Sequence, residues 1–87
     1  MYKILSIDPA EGFLGIGWRA IIQVGQKFYL LDLRDTLDAG AECMAFTCTS
    51  KGTVTNWHDL YCRRGLPVSS DALIDCIREF VEELENG

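Results

Sequence analysis

The chain has 87 residues, with 13 acids against 8 bases, a formal net charge of -5 and a pI near 4.6. That balance argues against a general binder of nucleic acid or anionic membrane, which needs a surface rich in lysine and arginine. The composition is 48% hydrophobic, enough for one core, and burial of roughly 60–70% at this size leaves little room for a deep catalytic cleft.

One domain over residues 1–87 is expected. The opening "MYKILSIDPAEG" has too short an apolar stretch before Asp8 for a signal-peptide core. No apolar run reaches the length of about 20 residues that a membrane span needs. The expected location is therefore the cytoplasm, where the four cysteines stay reduced.

In chain order, "YKILSI" (2–7) reads as a buried strand. The glycines of "GFLGIG" read as a loop or bulge before the second strand, because no third glycine and no helix pattern follow to make a dinucleotide-binding loop. "WRAIIQV" (18–24) and "KFYLLDL" (27–33) flank "GQ", a two-residue turn suited to a II′ hairpin. "ECMAFTCT" (42–49) alternates, with Met44, Phe46 and Cys48 on one side and Cys43, Ala45 and Thr47 on the other. A turn at "SKG" leads into "TVTNWHDLYC" (53–62), a strand that gives way to a turn or short helix at "NWHDL". "RRGLPV" reads as a loop punctuated by Gly65 and Pro67.

The last element is an amphipathic helix capped by Ser69 or Ser70, with Asp71 in its first turn. Leu73, Ile74, Ile77, Phe80, Val81 and Leu84 fall within about a third of its circumference. Strands followed by one such helix predict an α+β fold: an antiparallel sheet of four to five strands with the helix packed on one face.

Asp71, Asp75, Glu79, Glu82 and Glu83 gather on the polar side of this helix. Residues four apart sit about 6 Å apart along the axis, so the first three form a carboxylate column. In its plainest role the column is the solvated face of an amphipathic helix. Its placement has a cost, however. Glu79 and Glu83 are a like-charge i,i+4 pair, and the helix C-terminus is the negative end of the dipole. A column spaced like the phosphates of a nucleic-acid strand also suits a basic groove. Asp32, Asp35 and Asp38 form a second acidic group.

Cys43, Cys48, His58 and Cys62 read C-x4-C…H-x3-C, a loose version of a zinc pattern. The odd spacing of Cys43 and Cys48 puts them on opposite faces of a regular strand. The alternative is that these cysteines are small buried hydrophobes, as Cys76 is at the edge of the helix's apolar side. No serine or cysteine lies in a nucleophile motif, and His58 beside Asp59 is a pairing in sequence alone. No cofactor and no catalytic residue is expected.

Two resemblances bear on function. "ILSIDPAEGFLGIGW" followed by "RAIIQVGQKFYLL" resembles the opening of RuvC-type resolvases of the RNase H-like superfamily, in which a strand ends in I-D-P-G before a hairpin. The resemblance implies a metal-binding role for Asp8. Ala10 and Leu14 depart from the family pattern, and the rest of the chain lacks the further carboxylates that paired-metal chemistry needs. The shared feature is a strand–loop–hairpin pattern, with a nuclease relative as the lesser alternative.

The C-terminal half, "AECMAFTCTSKGTVTNWHDLYCRRG" and the acidic helix, is similar to a loose group of small phage and prophage proteins. Glu42, Met44, Phe46, Gly52, Val54, Thr55, core Trp57 and Leu60 carry that pattern. The similarity implies a phage or mobile-element origin, and with the small size, the acidity and the lack of a catalytic motif it favours a protein that acts by contact in the host cell. Its sharp form is an anti-defence inhibitor, anti-CRISPR in type, that occupies a basic surface of a host protein or nucleoprotein complex. It would bind neither nucleic acid nor membrane directly. The alternative is a phage accessory or structural protein that self-associates as a homodimer, using a sheet edge or exposed aromatics among Trp18, Phe28, Tyr29, Trp57 and Tyr61.

Overall fold

A computed structural model describes residues 1–11, 16–36 and 40–87. Gly12, Gly15 and Asp38 lie outside the described residues. The chain forms β1 (Tyr2–Ala10), β2 (Gly17–Val24), β3 (Lys27–Asp35), β4 (Ala41–Cys48), β5 (Val54–Leu66) and α1 (Ser70–Asn86). The strands make one antiparallel meander in the order β1-β2-β3-β4-β5. The helix covers one face of it, the α+β architecture expected from the pattern.

The β2–β3 hairpin closes through Gly25-Gln26, with Val24 paired to Lys27. A positive φ of 63° occurs at Gly25 and at no non-glycine residue among those described. That combination is what a II′ turn demands.

Alternation then sorts each strand between two faces. Ala20 and Ile22 of β2, Tyr29, Leu31 and Leu33 of β3, and Ala41, Cys43 and Ala45 of β4 join the helix-side core. From α1 they receive Ala72, Leu73, Cys76, Ile77, Phe80 and Val81. Phe80 sits between two tyrosines, its ring 5.2 Å from Tyr29 and 5.8 Å from Tyr61, both edge to face. Such aromatic contacts add about 0.5–1.5 kcal/mol each beyond area burial.

Ser69 is the N-cap: its hydroxyl accepts from the Ala72 amide at 3.1 Å, and its backbone is extended. No glycine or proline interrupts the next 17 residues. Asp71 complements the positive end of the dipole, and the last turn carries no base.

Several local expectations are corrected. β1 is an edge strand rather than a buried one. It has a register shift between Ile4 and Ser6, and Ile4 and Leu5 are exposed. "RRGLPV" is not a loop from its first residue, because β5 runs on through Leu66. Gly65, with φ 74°, supplies a backbone conformation that only glycine adopts freely.

"NWHDL" is neither turn nor helix but a wide bulge in β5. Asn56 pairs with Thr47 and Tyr61 with Ala45, so four residues of β5 stand opposite the single residue Phe46. The Asn56 side chain steadies the bulge by accepting from the His58 amide at 2.9 Å. Trp57, expected in the core, is thereby 74% exposed. Among the described residues no helix is long and apolar enough to cross a membrane.

Candidate functional site

Consecutive arginines on β5 serve opposite faces of the sheet. Arg63 reaches the helix side and binds Glu79 at 3.1 Å. Arg64 points the other way and binds Glu42 at 2.7 Å. Period-two alternation makes this division automatic.

Glu79 also accepts a hydrogen bond from the Tyr61 hydroxyl at 2.8 Å. Residues four apart advance by about 40° around a helix, so by Glu79 the column has rotated toward β5. One of the five carboxylates expected to face a partner is therefore spent inside the molecule, clamping α1 to β5. Asp75 pairs with Arg78 at 3.6 Å, both side chains well exposed. Asp71, Glu82 and Glu83 are exposed and make no ion pair among the described residues. Further along, Glu85 lies 3.6 Å from the amino terminus. Acid at the negative end of the dipole thus has local compensation: Glu79 through β5 and Glu85 through the N-terminal charge.

Beneath the clamp sit two cysteines, Cys43 of β4 and Cys76 of α1, both fully buried. The Cys43 thiol donates toward Cys76 and is itself pushed up by that bond and by burial. Cys76 is lowered to about 7 by the Cys43 hydrogen bond, against its burial and with help from Tyr61 and Arg63. Burial, and then the bond to Glu79, raise the Tyr61 phenol.

Cys48 lies on the opposite face of β4 from Cys43, and Cys62 is exposed on β5. No three His, Cys, Asp or Glu side chains among the described residues converge as metal ligands would. Asp8, the position that resembles the resolvase aspartate, stands on β1 opposite Arg19, which in turn stands opposite Asp32.

The face that the helix leaves uncovered holds a feature that sequence reading missed. Asp32, Arg34, Glu42, Met44, Phe46 and Trp57 line an open cleft of about 190 Å³. Strand register assembles it: Asp32 pairs across the sheet with Met44, Arg34 with Glu42, and Phe46 faces the bulge. Trp57 stands edge to face with Phe46 at 5.3 Å. Asp32 is only 8% exposed. Its Oδ2 takes the Arg34 guanidinium, while its Oδ1 is buried with no hydrogen-bond partner among the described residues.

The expected second acidic group does not assemble on the surface. Asp32 and Asp35 are both buried, and their odd separation points them to opposite faces of β3. The one available signal for the cleft was the i,i+2 spacing of Asp32 and Arg34, which puts them side by side on one strand face.

Together these features define a small α+β domain with an acidic helix on one side and an aromatic cleft on the other. No protein-family model, curated protein or solved structure matches the chain.

Proposed function

We propose that the protein acts by contact, setting the exposed carboxylates of α1 against a lysine- and arginine-lined surface that normally holds nucleic acid. The observation that carries this reading is the set Asp71, Glu82 and Glu83, exposed on one helix without ion pairs among the described residues. The net charge of -5 adds long-range attraction to a basic partner. In this reading the target is a host nucleic-acid-guided defence effector met in the cytoplasm. The effect is inhibition by occupying its groove, the anti-CRISPR type of action favoured by the C-terminal resemblance together with the small size and the acidity.

The test is retention of such an effector from nuclease-treated bacterial lysate at two salt concentrations, with and without competing duplex DNA. Wild-type protein should retain it at low salt and release it to DNA. The triple reversal Asp71→Lys, Glu82→Lys, Glu83→Lys should lose it while keeping the wild-type circular dichroism. Glu79 is left intact, because reversing it would break the clamp to Tyr61 and Arg63. A folded triple variant that still binds would remove the helix face as the contact.

A second reading is self-association. It is favoured by the edge position of β5 and the exposure of Trp57 and Leu60 on it. Light scattering across a dilution series checks this. A mass that rises with concentration supports the homodimer, and a constant monomer mass rejects it.

A further inference from the structure

We infer that the cleft on the helix-free face binds the side chain of a lysine presented by a basic protein partner. Three features point to that chemistry. The first is Asp32 Oδ1, a carboxylate oxygen buried without a donor among the described residues. Burying an acceptor unsatisfied is unfavourable, more so when it is charged, and the penalty is relieved when a ligand N–H arrives.

The second feature is Trp57. A bulge of extra residues holds its indole in water, 74% exposed, against the edge of Phe46. Bulges re-aim side chains, and an aromatic face within about 6 Å of a cation attracts it.

The third feature is shape and the one acceptor left over. Glu42 is held by Arg64 and Asp32 Oδ2 by Arg34, which leaves Asp32 Oδ1 as the buried oxygen without a donor among the described residues. Met44 and Phe46 offer apolar walls for a methylene stem. A single unsatisfied acceptor suits a compact ammonium, whereas the planar fork of a guanidinium asks for two. A volume of about 190 Å³ admits one such side chain and little more.

This inference rests on the reading of a basic partner but uses a different surface from α1, so the two fail separately. The test uses Nα-acetyl-lysine methylamide as probe, with the Nε-acetylated form and the norleucine analogue as controls. Amide and indole shifts of the labelled protein are followed by NMR. The lysine probe should give saturable shifts centred on the Trp57 indole and on Met44 and Phe46, and the controls should give none.

Asp32→Asn should weaken the probe about tenfold, the usual weight of a charge-assisted hydrogen bond. Trp57→Ala, at an exposed bulge position that leaves the core alone, should weaken it as well. Shifts that map to Asp71, Glu82 and Glu83 instead, equal shifts from the acetylated probe, or no saturable shift would each overturn the inference. A positive cleft with a negative lysate experiment would leave the site standing and sink the effector reading. The reverse result would do the opposite.

Discussion

The two faces of the sheet are built from the same five strands and solve different problems. The helix side is a continuous apolar layer in which Leu31, Leu33, Leu73 and Ile77 are fully buried. Its polar groups lie at the borders: the clamp, where Tyr61 and Arg63 hold Glu79, and buried Asp35 at the end of β3. On the other side, buried Leu30, Phe46 and Cys48 sit beside the charged set Asp32, Arg34 and Glu42. The β4–β5 turn leans over this side, bringing Gly52 against Ile21. The contrast separates stability from recognition: one face is closed by packing, and the other keeps a polar cleft open to solvent.

Substitutions should reveal that asymmetry. The largest effect is expected from Phe80→Ala, which empties the site between Tyr29 and Tyr61. A loss of about 3–5 kcal/mol in urea unfolding is expected. A loss below that of an ordinary surface change would mean that the helix side does not hold the fold together.

Next comes Gly52→Ala. Its φ of 89° is costly for alanine, and the added Cβ would come within 2.7 Å of the Ile21 side chain. A loss of about 1–2 kcal/mol is expected from strain and overpacking together. A neutral result would show that the turn does not pack on the second face.

Alkaline pH should act on both faces, through Tyr61 and Cys43 on the helix side and through Cys48, raised by its burial, on the other. Tyr61 and Cys43 are both raised from their ordinary values of 10.0 and 9.0, so folding favours their protonated forms. That contribution is complete below about pH 9 and falls as pH rises past it. Cys76, lowered to about 7, works in the opposite sense. Its contribution is complete above the ordinary thiol value, 9.0, and fades as pH falls through 7. Melting temperature should therefore drop above pH 9, and Tyr61→Phe should flatten the drop. An unchanged slope would separate the phenol from the effect.

The smallest change is expected from Trp57→Ala, within about 0.5 kcal/mol in unfolding because the indole is mostly in water. A larger loss would make Trp57 a structural residue on the second face and weaken its assignment to ligand contact.

Local pattern already dictated much of this fold. Helical periodicity from Leu73 to Val81 identified the buried side of α1, because a 3.6-residue period is a property of consecutive residues. The "GQ" hairpin and the two-sided alternation of β4 were legible for the same reason. They need only neighbours in sequence and the steric freedom of one glycine.

What tertiary structure alone decided concerns pairings across strands. Whether Glu79 faces solvent or β5 depends on where Tyr61 and Arg63 arrive, 18 and 16 residues away in the chain. "RRGL" resembled a loop because Gly65 and Pro67 punctuate it, yet pairing of β5 with β4 carries the strand to Leu66. Trp57 read as core because large aromatics usually are, and a bulge opposite one residue turned it outward. The cleft exists only once β3, β4 and β5 lie side by side, since its six lining residues span 26 positions of sequence from Asp32 to Trp57. Periodicity fixes which way a side chain points from its own element. Register fixes what it meets, and register is set by the packing of the whole sheet.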